Sequence, residues 1–336
     1  MFKKLAVQHH ATSPAVSTIS SIPGVLRSAS LPGCPLCSDP GQRTLLEDNG
    51  KLLMKCPHCG VSYAWPQPSP ADVAAHFEID ITADQRDLER KFERNRKKVL
   101  ACIADHIQHR RAGGAILDVG CATGFFLGRF FQKPEWQTWA LELSPLAAGK
   151  AAEKGIRVHR GDIHNAGFAQ AFFDVITVLD AFCYFLKPER ELAEFCRVLK
   201  DDGLLVLELP LATSRIWRTS RPIGKLLSST RQPLLQSSDH LFYFTPRSIS
   251  LVLERCGFQV QTIVALPGNR QERLLRNLAY HAYFILSSLM HFVSGSRIFL
   301  GPRFVVVASK AANGTADCVE NHDRPAGRMR AIRQTA

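Results

Sequence analysis

Three features of the sequence predict an α/β protein, a doubly wound and mainly parallel sheet preceded by a small zinc ribbon. Between residues 115 and 310 short apolar runs alternate with helical patterns. Strands interleaved with helices imply crossover connections, which build a parallel sheet covered on both faces. The stretch "AILDVGCATGFFL" (115–127) runs from a strand into a turn of small residues and then into a helix. Two C-x-x-C pairs lie ahead of it, at Cys34–Cys37 and Cys56–Cys59.

The chain of 336 residues can form one large domain or two smaller ones. Its formal net charge of +12 favours an anionic partner (nucleic acid, phospholipid or a phosphorylated substrate) without choosing among them. Part of the excess is terminal: residues 1–32 hold Lys3, Lys4 and Arg27 but no acid, and Arg324, Arg328, Arg330 and Arg333 crowd the other end. Residues 1–32 lack the continuous apolar core of a secretory signal and read as a disordered leader of a cytoplasmic protein. Residues 311–336 show no periodicity and read as a disordered tail.

Residues 33–70 form the ribbon. "CPLC" and "CPHC" are separated by 18 residues, enough for a small hairpin, and each pair can aim two thiolates at one tetrahedral ion. With Cys34, Cys37, Cys56 and Cys59 filling all four positions, the Zn²⁺ would be structural rather than catalytic. His58, between two ligands, is expected to be exposed, and the other six cysteines to act as small buried apolar residues. Residues 71–114 are a helical linker. Its stretch 84–111 is strongly charged at first and amphipathic later, closed by Gly113–Gly114.

The strands of the domain at 115–310 are "AILDV", "TWALEL", "IRVHRG", "FDVITVLD", "GLLVLELP", "FQVQTIVAL" and "RFVVVASK". "RVLKDDG" reads as a helix followed by a turn at Gly203. In the first βα turn, small residues let the backbone approach a ligand; a plain tight turn is the alternative. The spacing D-x-G-x-x-x-G differs from the dinucleotide fingerprint, because Asp118 would repel a pyrophosphate and suits a cationic or hydroxyl-rich cofactor better. Glu142 ends the second strand 24 residues on, where an acid can accept from ribose hydroxyls. Asp162 follows the third strand and Asp180 the fourth. Several acids at successive strand ends mark the ligand-binding edge of such a sheet.

On these residues the chain resembles the class I S-adenosylmethionine-dependent methyltransferases from about residue 90 to 310. "ILDVGCATG" is similar to their first motif, "LELS" to the ribose-binding acid, "GDI" to the adenine-side motif, and "RVLKDDGLLVLELP" to the turn and strand that follow. The resemblance implies a Rossmann-like sheet of seven strands with the last one, "RFVVVASK", antiparallel. It implies that Asp118, Gly120, Cys121, Ala122 and Gly124 line the methionine and ribose side, with Glu142 on the ribose. Leu143, Asp162 and Ile163 would frame the adenine, and Asp180 is counted with the cofactor-side residues. Ala122 stands where the usual turn has a glycine. "DAFCYF" replaces a D-x-x-E-H-x pattern, so no histidine role is carried over there. The ribbon and "DHLFYFTPRSISLVLERCGF" resemble a subgroup common in bacterial polysaccharide and secondary-metabolite pathways, which methylates sugars and other small molecules.

Methyl transfer is an in-line displacement in which positioning supplies much of the rate and a base deprotonates a hydroxyl acceptor. His240 is the first candidate base and Tyr184 the second. The expected reaction is O-methylation of a small-molecule, glycan or lipid-linked acceptor, with S-adenosylhomocysteine as by-product. Residues 274–302 are apolar for over 20 positions yet carry His281 and His291, with Arg270 and Arg273 just ahead and Arg276 at their start. They fit a core helix, or one lying on an anionic membrane surface, better than a spanning helix. Two other functions are open. An RNA methyltransferase would use the ribbon and "RKFERNRKK" to grip phosphates, although acids alternate through that helix. A non-catalytic binding module would keep the fold alone.

Overall fold

The computed structural model describes residues 33–48, 51–73, 85–211, 240–266, 285 and 303–312. The expectations for the leader, for 274–302 apart from Ile285, and for the tail beyond 312 lie outside the described residues.

The large sheet has seven strands: β4 (Gly114–Val119), β5 (Trp136–Glu142), β6 (Arg157–Arg160), β7 (Phe173–Leu179), β8 (Leu199–Pro210), β10 (Phe258–Leu266) and β11 (Arg303–Lys310). Their order is β10-β11-β8-β7-β4-β5-β6. β4 pairs in parallel with β5 and β7, β5 with β6 and β7 with β8, whereas β11 runs antiparallel to both β8 and β10. This is the doubly wound, mainly parallel sheet that the alternation of strands and helices predicts. The central strands are buried almost throughout, since both faces are covered.

One face packs on α1 (Gln85–Gln108), whose Val99, Leu100, Ile103, Ala104 and Ile107 recur at helical spacing and join Phe126, Leu127 and Phe131 in a single apolar cluster. Phe126 and Leu127 belong to α2 (Phe125–Phe130). The other face carries α4 (Pro188–Val198) and α5 (Pro246–Arg255), through Leu192, Phe195, Ile249 and Val252. α3 (Pro145–Glu153) begins at a Ser144 cap, whose hydroxyl accepts from the Ala147 amide.

One local expectation is corrected. The turn expected at Gly203 is absorbed into β8, which begins directly after α4 ends at Val198. Its pairing with β7 jumps from Phe173↔Leu199 to Val175↔Leu204, so Lys200–Gly203 fall in a register break. Ion pairs anchor the break: Lys200 Nζ to both Asp174 oxygens at 2.8 and 2.9 Å, and Lys310 Nζ to Asp201 at 3.1 Å.

The cysteine region forms β1 (Arg43–Asp48), β2 (Lys51–Lys55) and β3 (Ser62–Trp65), an antiparallel meander. A fourth strand, β9 (Phe242–Tyr243), joins β3 from far along the chain, with Ser62↔Tyr243 and Tyr63↔Phe242 in register. Cys34, Cys37, Cys56, Cys59, Val61 and Tyr63 share one continuous apolar core with the α4/α5 face of the large sheet. Among the described residues, no helix is long and apolar enough to cross a membrane.

Candidate active site and cysteine centre

The turn between β4 and α2 contains three left-handed residues: φ is +73° at Gly120, +50° at Ala122 and +71° at Gly124. Glycine is required at two of them for space as well as angle. A Cβ on Gly120 would sit 2.9 Å from the Ala181 Cβ, and one on Gly124 2.6 Å from the Ile156 Cδ1. Glu142, the last residue of β5, ties this turn to the next loop: its Oε2 accepts from the Ala122 amide at 2.8 Å and its Oε1 from the Ser144 amide at 2.9 Å. Burial raises its pKa above the ordinary carboxylate range, against the pull of those amides.

Asp118 lies one strand position before the turn, 2% exposed, and accepts from Thr177 Oγ1 at 2.7 Å. Burial pushes its pKa up to about 7; the Thr177 bond opposes this and the Glu142 charge adds to it. Cys121 is buried in the turn, and Leu143 is exposed beside Glu142. Ile163 is buried, while Asp162 caps the short turn that contains it, with its Oδ1 accepting from the Asn165 amide at 3.0 Å. The donor set suits a nucleoside that bears a cation. It offers one buried carboxylate, a second anchored on two amides with lone pairs to spare, and an apolar side chain at the surface.

Asp180, just past β7 and next to the Ala181 that abuts Gly120, has a different set of partners. Its φ is +62°, and its Oδ2 receives Arg303 at 2.6 Å and Arg96 at 3.3 Å. The same two guanidiniums hold Glu208: Arg303 Nη1 meets Oε1 at 2.7 Å and Arg96 Nη2 meets Oε2. Burial would raise the pKa of Asp180, but Arg303 and then Arg96 bring it down to about 2. On its other side lies His240, 3% exposed, with Nε2 3.9 Å from Asp180 Oδ1. Half-buried Tyr184 packs on the His240 ring with centroids 4.8 Å apart, and Tyr243 meets it edge-on at 5.9 Å. The two candidate bases are therefore neighbours, and contact between the Gly120 turn and Ala181 places them beside that turn. Donor atoms of Asp180, Cys183 and His240 come within 4.8 Å of one another. Two guanidiniums already on Asp180 make this a poor place for a metal cation.

Arg96, Thr177, Glu208 and Arg303 escape a sequence reading. Glu208 alone carries a signal, as an acid inside the apolar run "LLVLELP"; Arg96 is hidden in a basic helix and Arg303 opens a strand more than 200 residues later.

The four N-terminal cysteines converge. Cys34 and Cys59 sulfurs are 3.7 Å apart and Cys37 and Cys56 sulfurs 3.5 Å, with all four within 4.8 Å. A tetrahedral zinc with Zn–S bonds of about 2.3 Å needs sulfurs about 3.8 Å apart, so the geometry fits. The two knuckles match each other: the Ser38 and Gly60 amides donate to the Cys34 and Cys56 carbonyls at 2.8 and 3.1 Å, and both residues have positive φ. His58 is exposed. Of the other cysteines, Cys121, Cys183, Cys196 and Cys256 are buried and Cys102 is half-buried, while Cys318 lies outside the described residues.

A family described as "Methyltransferase domain" matches residues 85–263, just over half of the chain. A demethylmenaquinone methyltransferase of Thermobifida fusca (strain YX) is 29% identical over 145 residues, which are 41% of this chain and 61% of that protein. The chain thus spans less than two thirds of the length of this curated relative. Among solved structures, an S-adenosylmethionine-dependent methyltransferase of Thermotoga maritima is 16% identical with a TM-score of 0.48, covering 71% of this chain and 99% of its own. Another, of Clostridium acetobutylicum, is 13% identical with a TM-score of 0.44, covering 68% and 99%.

Proposed function

The chain belongs to the methyltransferase-domain family and is a class I S-adenosylmethionine-dependent methyltransferase; from that premise we propose that it methylates a hydroxyl of a small-molecule, glycan or lipid-linked acceptor, with His240 as the base. The observation that carries this reading is the grouping of His240, Tyr184 and Asp180 beside the Gly120–Gly124 turn. The name of the Thermobifida relative, a methyltransferase for demethylmenaquinone, also favours a small-molecule acceptor.

The cofactor supplies a methyl group on a positively charged sulfur, leaving S-adenosylhomocysteine. Asp118 and Glu142 would hold its polar parts, with Gly120, Cys121, Ala122 and Gly124 close against it. Leu143, Asp162 and Ile163 would face the adenine. Buried His240 would receive the acceptor proton, and Tyr184 would wall the acceptor or share that task. Zinc on Cys34, Cys37, Cys56 and Cys59 would be structural, because the four thiolates leave no coordination position open.

The test is transfer of a labelled methyl group to a panel of glycans, lipid-linked sugars, quinols and RNA. Labelling of a hydroxyl-bearing small molecule or glycan is expected. His240→Ala should lower turnover more than about 100-fold with cofactor affinity unchanged. Labelling of RNA alone would replace this reading, and near-normal turnover in the variant would remove His240 from it. For a lipid-linked acceptor, residues 274–302 would rest on the membrane, and the protein would sediment with anionic liposomes at low salt.

A further inference from the structure

We infer that Asp180 is a positioning carboxylate for His240, and that Arg96, Arg303 and Glu208 form the buried charge frame that keeps it in that role. The inference rests on the reading of His240 as the base and extends it to four residues outside the cofactor turn.

The geometry divides the two oxygens of Asp180. Oδ2 is taken by both guanidiniums, whereas Oδ1 is buried with no hydrogen-bond partner among the described residues and faces His240 Nε2. At 3.9 Å this is an ion-pair separation, outside hydrogen-bond range. An orphaned buried carboxylate oxygen is costly unless its charge has a task, and a protonated imidazole would satisfy it. Two guanidiniums and two carboxylates balance, so the frame is neutral while His240 is neutral. The backbone is committed as well. Asp180 takes the left-handed conformation that short polar residues tolerate, and its amide donates to the Glu208 carbonyl at 3.1 Å. His240 is held by the next residue, since the Leu241 amide donates to the Cys183 carbonyl at 3.0 Å and the Leu241 carbonyl accepts from Ala64 at 2.9 Å.

His240 gains the hydroxyl proton as the acceptor oxygen forms its bond to the methyl carbon, and the sulfonium sulfur keeps the electron pair of the broken S–C bond. The resulting imidazolium presents Nε2–H to Asp180 Oδ1. A carboxylate left ionised by Arg303 and Arg96 raises the proton affinity of that ring. Among the described residues, groups that face His240 include Asp180 from the end of β7, Cys183 and Tyr184 from the following turn, and Tyr243 from β9. Arg96, Glu208 and Arg303 stand behind the carboxylate.

The experiment reads the ring directly. Full-length protein saturated with S-adenosylhomocysteine and labelled at histidine is titrated by NMR, with the His240 signal assigned by its loss in His240→Gln. In Asp180→Asn the His240 midpoint should fall by about one pH unit or more, the worth of a unit charge at this distance. In Glu208→Gln it should fall as well, because the frame becomes net positive. An unchanged midpoint in Asp180→Asn that still binds S-adenosylhomocysteine overturns the inference. Should Asp180→Asn fail to bind it, an unchanged midpoint in Glu208→Gln does the same. A shifted midpoint alongside full methyl transfer by His240→Gln would uphold the pair and remove the base from the proposed function, so the two failures are separable.

Discussion

Ala122 holds φ +50° in a turn whose other two left-handed residues are glycines. An L side chain in that conformation costs about 1–2 kcal/mol, and a glycine there returns about 0.4–1 kcal/mol of that to the unfolded chain. Ala122→Gly should therefore raise folding stability by up to about 1 kcal/mol in urea denaturation, and a clear loss of stability would contradict the strain assigned to it. Asp118 gives a second prediction. Its folded pKa of about 7 lies above the 3.8 of an ordinary aspartate, so between these values the folded state holds a proton that the unfolded state has released. The contribution of Asp118 to stability is then present at low pH and lost as pH rises through about 4 to 7, by roughly 4 kcal/mol. Asp118→Asn should flatten that slope. A bound sulfonium or ammonium would favour the carboxylate, so calorimetry in buffers of different ionisation enthalpy should find proton release on cofactor binding at pH 6, absent in Asp118→Asn. These residues are legible in the sequence because each sits at a strand end or in a small-residue turn. The partners of Asp180 are not, since Arg96 and Arg303 meet only when helix α1 and strand β11 are packed on the same sheet.

Elements were legible to different degrees. Period-two and all-apolar runs mark β4, β5, β7 and β8, and the amphipathic stretch marks α1, because these patterns record burial directly. β9 is two residues long and could not be read from local pattern; its strand character comes from pairing with β3. The same pairing links the cysteine centre to His240, the proposed base. The Ala64 amide bonds to the Leu241 carbonyl, one residue from His240. Metal analysis should find about one zinc per chain, and stripping it with a chelator should speed amide exchange at Ala64 before it speeds exchange in β4 or β7. Unaltered exchange at Ala64 after complete removal of the metal would separate the cysteine centre from the segment that carries His240.

Over the whole molecule, the alternation of strands and helices announces a parallel sheet, yet the order of its strands comes only from packing. The placement of β11 between β8 and β10 follows from the antiparallel return of the last strand. The residues proposed to hold the cofactor lie in the loops after β4, β5 and β6, so on that proposal ligand binding should stabilise the fold as a unit. At 100 times its dissociation constant, S-adenosylhomocysteine should add about 2.7 kcal/mol, seen as a rise in the unfolding midpoint. Loss of that rise in Glu142→Ala, which unties two of these loops, is the expected control.

The β3–β9 pairing also has a meaning for synthesis. Tyr63 and Phe242 are neighbours in the small sheet but lie 179 positions apart in the chain. At about 5–20 residues per second, the edge of β3 waits roughly 10–40 s on the ribosome for its partner. During that interval the cysteine knuckles can take up metal, but the outer edge of their sheet is an unpaired strand, open to any other chain that offers one. The small sheet is the first to begin and is closed only after β4 to β8 of the large one have been made.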